Sequence, residues 1–234
     1  MRISKKDLKF LLRFQRFAAF TLAEVLITLA IIGVVAAVTI PSLLNETNDK
    51  ETVVKLKKIY SDLNAATNYM VAENGPIKSW DWDSGDSTME SIMDGYKKYL
   101  KIDKACPFIS PFSCYIETNW KALNGNSYFT YFHGGDGYYN ILQDGSYIKF
   151  YKILDPASYG AQLNNQTPRI EIVVNLNGNK PPNQVGRDVF FFFLTQERGV
   201  MPPYYSYVGL THCDSSSTGT ACTGKVLKED AINY

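Results

Sequence analysis

The sequence has little of what most catalytic and metal sites are built from. It holds two histidines, His133 and His212, and four cysteines, none of them in a CxxC pair. That excludes thioredoxin-type redox chemistry, and the cysteine spacings are wider than structural zinc sites use. No Gly-rich phosphate loop, metalloprotease motif or nucleophile elbow is present. His133 sits in the turn-like stretch Phe132-His133-Gly134-Gly135-Asp136. His212 adjoins Cys213, but a Cys–His pair needs a free thiol. The expectation is a protein that is not an enzyme. Excess charge is missing too: 24 basic against 23 acidic residues leave +1. Composition therefore argues against a nucleic-acid binder working by bulk charge. What is present is ordinary globular composition, 45% hydrophobic and 14% aromatic, which excludes wholesale disorder.

The near-neutral total hides an asymmetry. Residues 1–19 carry Arg2, Lys5, Lys6, Lys9, Arg13 and Arg16 against Asp7 alone, a net +5, and the remainder carries −4. Residues 20–40 then hold a single charge, Glu24. As a helix this run rises roughly 30 Å, enough to cross a bilayer core. Acidic residues follow it (Glu46, Asp49, Glu51), so the positive-inside bias puts the N-terminus in the cytoplasm. An uncleaved signal anchor would fit this pattern. A secretory signal cut at Val35-Ala36-Ala37 would fit less well, because its apolar run should be shorter. Neither accounts for Glu24. An acid among lipid tails costs about 2.5–3.5 kcal/mol and usually marks function.

The stretch Ala19-Phe20-Thr21-Leu22-Ala23-Glu24-Val25-Leu26-Ile27 resembles the processing motif of type IV prepilins and type II secretion pseudopilins. Gly33 and Pro41 fall where that family's N-terminal helix carries a Gly and a helix-kinking Pro. The resemblance implies that a prepilin peptidase cuts between Ala19 and Phe20 and methylates the new amine. The residue before the cut is usually Gly in the family; here it is Ala19. The resemblance also gives Glu24 a role. In a bundle of helices it can pair with the Phe20 amine of a neighbouring subunit and so select the stagger between them. The implied partners are further copies of the chain, other pilin-like subunits, the peptidase/methyltransferase, an inner-membrane assembly platform and membrane lipid. The implied location is a single-pass bacterial inner-membrane protein that moves into a periplasmic or extracellular filament. Pilus, secretion and competence filaments share this helix, so the motif does not choose among them. A minor subunit acting as a binding module, for adhesion, a secretion substrate or DNA uptake, is the alternative.

Beyond Pro41, Val53, Leu56, Ile59, Tyr60, Leu63, Ala66 and Met70 recur at helical spacing. Asn74-Gly75-Pro76 is a strong stop, so one helix is expected over residues 20–73. A polar loop over 76–87 leads to a short helix with Ser87 and Glu90 at capping-box spacing and a stripe of Met89, Ile92, Met93, Tyr96 and Leu100. Strands are expected at 127–132, 138–143, 146–153, 169–175 and 189–195, with a hairpin turn at Asp144-Gly145. Phe190-Phe191-Phe192-Phe193 reads as a strand buried on both faces. From Gly199 onward, loop is expected. The fold class is α+β and pilin-like: a long N-terminal helix on an antiparallel sheet. The expected division is a leader over 1–19, a transmembrane or filament-core helix over 20–45, and an extracytoplasmic domain over 46–234.

Outside the cytoplasm the cysteines should be oxidised. Three pairings are open; Cys106–Cys114 with Cys213–Cys222 is favoured because each closes a short loop, and the second resembles the C-terminal disulfide loop of type IV pilins. A metal is expected, if anywhere, between Asn175 and Asp188. Side-chain oxygens there alternate before a Gly, and major pseudopilins carry calcium in a C-terminal loop, which makes Asn175, Asn177 and Asp188 the ligand set for Ca2+. The stretch is not an EF-hand and has one carboxylate, so a Gly/Pro/Asn connector competes with this reading.

Overall fold

The computed structural model describes residues 20–82, 86–106, 120–128, 137–154, 166–178, 180–203 and 213–234. The chain divides into two compact units, one ending at Glu46 and one running from Thr47 to Tyr234. The first helix, α1 (Leu22–Asn74), contributes to both. It begins two residues later than expected and its helical pattern continues through Pro41. It stops where Gly75 takes φ +82°, a left-handed conformation that suits glycine, and donates its N–H to the Val71 carbonyl at 2.9 Å. Pro76 follows and cannot continue the helix.

In the second unit α1 buries one stripe: Val53, Leu56, Ile59, Leu63, Ala66 and Met70. Their spacing of three and four puts them on one face. That face lies on a six-stranded antiparallel sheet whose strands follow chain order: β1 (Ile102–Ala105), β2 (Tyr138–Leu142), β3 (Tyr147–Lys152), β4 (Pro168–Asn175), β5 (Val189–Thr195) and β6 (Gly199–Met201). The register aligns Phe150, Ile172 and Phe192 across β3, β4 and β5, and beside them Ile148, Val174 and Phe190. These rows meet the α1 stripe in the main core. Phe192 stacks on Tyr60 with ring centroids 5.4 Å apart. A second helix, α2 (Asp86–Tyr99), covers the core with Met89, Ile92, Met93 and Tyr96. The Tyr96 hydroxyl meets the Thr67 hydroxyl at 2.7 Å, and burial holds its pKa well above the usual phenol value.

The four phenylalanines behave as a strand buried on both faces. Phe190 and Phe192 face α1, whereas Phe191 joins Trp120, Val173, Val185 and Val189, and Phe193 joins Ile153. The hairpin at Asp144-Gly145 is present, with Gly145 at φ +81° and Asp144 Oδ1 accepting the Ser146 N–H at 3.1 Å.

Several elements differ from the sequence expectation. Ser127 forms only an isolated bridge to Lys121 and Tyr128 is not in a strand, while residues 129–132 lie outside the described residues. The α2 helix starts at Asp86, one residue ahead of the expected cap; the side chains of residues 86–88 lie outside the description. β1 is an addition to the expected strands. It is a short edge strand of exposed Asp103, Lys104 and Ala105, carried by pairing to β2 across a register shift. β6 and a third helix, α3 (Cys222–Glu229), stand where loop is expected. α3 is eight residues long and holds Gly224 near its start, which weakens any helical signal. Tertiary structure requires that glycine: a Cβ there would lie 2.6 Å from the Pro203 carbonyl oxygen. The Thr223 hydroxyl accepts the Phe191 N–H at 3.0 Å, occupying a donor of β5.

One acid on the sheet has a pH consequence. Burial raises Glu171 to about 7, an effect that the nearby Lys149 ammonium only partly offsets. A carboxyl raised in the folded state holds its proton there while the unfolded chain has released it. The Glu171 contribution to stability is therefore greatest below the ordinary carboxylate value and falls as pH rises toward about 7. Between pH 4.5 and 8 the detergent-solubilised chain is expected to lose, from this group, on the order of 2 kcal/mol relative to a variant without the acid. Glu171→Gln should flatten that slope; an unchanged slope in the variant would contradict the assignment.

Candidate processing and assembly site

The N-terminal part of α1 is apolar on every side. Fourteen large apolar side chains between Phe20 and Leu44 are exposed, Phe20 to 84% and Leu22 to 76%. An 18-residue window of α1 has mean hydropathy 2.5 and none of it is buried, so α1 is long and apolar enough to cross a membrane. A helix without a polar face needs lipid or other helices around it. Its small residues (Ala23, Ala30, Gly33, Ala36 and Ala37) suit close helix approach, and a Cβ at Gly33 would meet nothing within 4 Å.

The helix opens on a reciprocal cap. Thr21 is the N-cap: its carbonyl accepts the first helical bond, from Val25 N–H at 3.2 Å. Its hydroxyl accepts the Glu24 N–H at 3.2 Å, and Glu24 Oε2 accepts the Thr21 N–H at 2.8 Å. The Thr21 hydroxyl also donates to Glu24 Oε2 at 2.8 Å. This is a Thr-x-x-Glu capping box. Glu24 thus stands at the start of the apolar run, with its carboxylate held by Thr21. Phe20 lies outside the helix. Ala19 lies outside the described residues. Thr21 is the residue that sequence reasoning misses. Its signal is the Thr21–Glu24 spacing, which goes unused when Glu24 is weighed only as a charge.

The remaining site residues lie in the second unit. Cys213 and Cys222 form a disulfide. The loop they close is pinned to the 120–128 segment, where Leu123 N–H donates to Thr218 O and Asn124 N–H to Ser217 O, each at 3.0 Å. Cys106 is disulfide-bonded, and Cys114 lies outside the described residues.

Asn175, Asn177 and Asp188 come together in one polar knot where β4 ends and β5 begins. Asn175 Nδ2 donates to the Gly178 carbonyl at 2.8 Å and to Asn183 Oδ1 at 2.7 Å. Its Oδ1 accepts the Asn177 N–H at 3.3 Å. Asp188 Oδ2 accepts the Gln184 N–H at 3.1 Å. Burial raises Asp188 above the usual carboxylate value, against bonds from the Gln184 and Asn183 backbone, the Arg187 charge and the Asn177 side chain. Asn177 Oδ1 is buried without a partner. Among the described residues no three His, Cys, Asp or Glu side chains cluster as a metal site would need. Next to this knot, Arg187 reaches Asp49 of α1 at 3.4 Å and the Tyr234 main-chain oxygen at 3.3 Å. The Tyr234 hydroxyl in turn donates to the Gly186 carbonyl, which fastens the last residues to the sheet.

Two family models match the chain. A model described as a family of unknown function (DUF6613) matches residues 42–225. A model of the prokaryotic N-terminal methylation motif matches residues 15–40, the segment that holds Ala19, Phe20, Thr21 and Glu24. No curated protein and no solved structure matches. The methylation motif is that of type IV prepilins and pseudopilins, and it points to a structural subunit. With the apolar helix behind it, the motif indicates membrane anchoring. The chain belongs to the family of unknown function DUF6613 and opens on the N-terminal methylation motif of type IV pilin-like proteins.

Proposed function

We propose that the chain is a structural subunit of a type IV pilus-like or type II secretion pseudopilus filament, processed by prepilin peptidase between Ala19 and Phe20 and assembled through the N-terminal part of α1. The observation that carries this reading is the join between that exposed apolar helix and its single acid, Glu24, inside the methylation motif. In the membrane the helix is satisfied by lipid. Moving from lipid into a helix bundle brings no hydrophobic gain, because acyl chains are as apolar as leucine. Packing at the small residues and electrostatics must then drive assembly. Removal of residues 1–19 takes away the +5 leader and creates an amine on Phe20, about one helical turn ahead of Glu24 in the sequence. Pairing that amine with the Glu24 of a neighbour cancels two charges that are each costly alone, and does so only at one stagger. The peptidase/methyltransferase, an inner-membrane platform and further pilin-like subunits are the partners this requires, and the second unit would lie on the periplasmic side.

Shearing the cells and pelleting the released fibres tests the reading. The processed chain is expected in the fibre fraction as a polymer. Recovery only as a membrane-bound monomer would overturn it.

Calcium at the polar knot is a finer proposal, supported by the buried, unpartnered Asn177 Oδ1 on a side chain that also hydrogen-bonds the Asp188 carboxylate. Asn175 is committed at both ends of its amide, so Asn177 and Asp188 would be the principal side-chain ligands. Millimolar calcium should raise Tm over the chelated protein, and Asp188→Asn should abolish the rise. Equal Tm values with calcium and with chelator would remove the proposal.

A further inference from the structure

We propose that the second unit binds a neutral pyranose sugar in a cavity between the C-terminal end of α1 and the first turns of α2, with Trp80 as the stacking face and Asn74, Asp81 and Ser91 as the hydrogen-bonding rim. The proposal does not depend on leader removal or on assembly.

The cavity follows from how α1 ends. Gly75 and Pro76 stop the helix, and the chain that leaves it must find donors for its own carbonyls. Two tryptophans supply them. Trp80 Nε1 donates to the Gly75 carbonyl at 2.9 Å, and Trp82 Nε1 to the Ile77 carbonyl at 3.0 Å. The Ser79 hydroxyl donates to the Pro76 carbonyl at 2.7 Å. The two indoles stack, with ring centroids 6.0 Å apart and planes inclined by 26°. Trp82 is buried in the core, whereas Trp80 is half-buried. Between this loop, Met70 of α1 and Ile92 of α2 lies a space of about 320 Å³, which Trp80 lines and Trp82 does not.

The lining selects a class of ligand. Met70 and Ile92 are buried and, with Trp80, give the cavity an apolar side. Asn74, Asp81 and Ser91 are exposed and give it a polar rim. Among the described residues the Asn74 and Ser91 side chains form no hydrogen bond, so an amide and a hydroxyl there are open to a ligand. The Trp80 N–H is taken by Gly75, so the indole offers a ligand its face alone, the negative part of the ring's quadrupole. A pyranose has the matching construction. One face presents C–H groups, and the edge carries hydroxyls that each donate and accept. The amide, carboxylate and hydroxyl of the rim can both accept from and donate to such an edge. The volume is at the small end of ligand pockets, roughly 300–1,000 Å³, which suits a single ring. Asp81 is the charged residue of the described lining, and its sign disfavours uronic and sialic acids. The Trp80 ring is already fixed by its hydrogen bond and by Trp82, so binding costs little ordering there.

The test is a titration of the full-length chain, labelled with nitrogen-15 at tryptophan, in a zwitterionic detergent that has no sugar headgroup. Neutral hexoses and N-acetylhexosamines are added one at a time to about 100 mM, well above the dissociation constant expected. The indole N–H signals are read by NMR. The tryptophans are Trp80, Trp82 and Trp120, so single substitutions assign each signal. At least one sugar is expected to shift the Trp80 signal saturably, with Kd on the order of 1–10 mM for a ligand of about a dozen heavy atoms. Trp120, which packs in the separate cluster with Phe191, should not move. Trp80→Ala, read from saturation transfer to the sugar, should weaken binding about tenfold or more. Asn74→Ala changes an exposed side chain and should weaken it about 3- to 10-fold, the loss of one hydrogen bond. An unshifted Trp120 signal in each variant serves as the control for folding. No saturable shift with any neutral sugar would overturn the proposal, as would equal shifts of Trp80 and Trp120. Unaltered affinity in both Trp80→Ala and Asn74→Ala would overturn it too, because the sugar would then sit elsewhere. Glucuronate bound as tightly as glucose would contradict the neutral class that Asp81 sets. None of these outcomes bears on filament assembly.

Discussion

Glu24→Gln is expected to be cut and held in the membrane like the unaltered chain, and to lose assembly. The substitution separates two roles of one side chain. Glutamine can still accept the Thr21 N–H, so the cap survives. It carries no charge, so the Phe20 amine of a neighbour would enter the bundle unpaired. Breaking a buried ion pair by removing one partner costs about 3–5 kcal/mol, and the cost recurs at every subunit contact. That corresponds to a loss of roughly two to four orders of magnitude in affinity per contact. The fraction of chain sedimenting with sheared fibres should fall to background. Fibres at normal yield from Glu24→Gln would mean that packing alone drives assembly. Glu24→Ala would be less informative, because it removes the cap and the charge together.

Phe192→Ala is expected to cost the second unit about 3–5 kcal/mol, a large share of the stability of a domain of this size. Phe192 is fully buried, sits beside its cross-strand partner Ile172 of β4 in the core that holds the α1 stripe, and stacks on Tyr60. Truncation would leave a cavity where the helix meets the sheet. A fall in Tm of about 10 °C follows for a unit of this length. Val54→Ala, on the exposed side of the same helix, should change stability by less than about 0.5 kcal/mol. If the two variants melted together, the helix–sheet interface would not be the core.

The parts of this fold that can be read in advance are those where local pattern and burial agree. Leu56, Ile59, Leu63 and Met70 mark a helix face at once, and Asn74-Gly75-Pro76 marks its end. The alternation through β3 and the run of valine and isoleucine in β4 announce strands for the same reason. What cannot be read depends on contacts distant in sequence. β1 has no apolar face of its own and exists through its pairing with β2. β6 is three residues added to β5. α3 carries Gly224, poor for a helix in isolation, because the Pro203 carbonyl leaves no room for a side chain. At the N-terminus the limitation is of another kind. Ala19, Phe20 and Glu24 are legible as a motif, and the cap between Thr21 and Glu24 is equally present in the spacing. An acid in an apolar run draws the eye to its charge, and its hydrogen bonds to the backbone are then easily missed.

The measurement that bears most directly on the central claim is the mass of the N-terminal peptide from membrane-extracted protein. A chain beginning at N-methylated Phe20 is the predicted result, since the methylation motif covers that bond and the apolar helix begins just beyond it. A chain beginning at Val38 would instead mean an ordinary secreted domain, and one still beginning at Met1 would mean a signal anchor; either would contradict assembly through a processed helix.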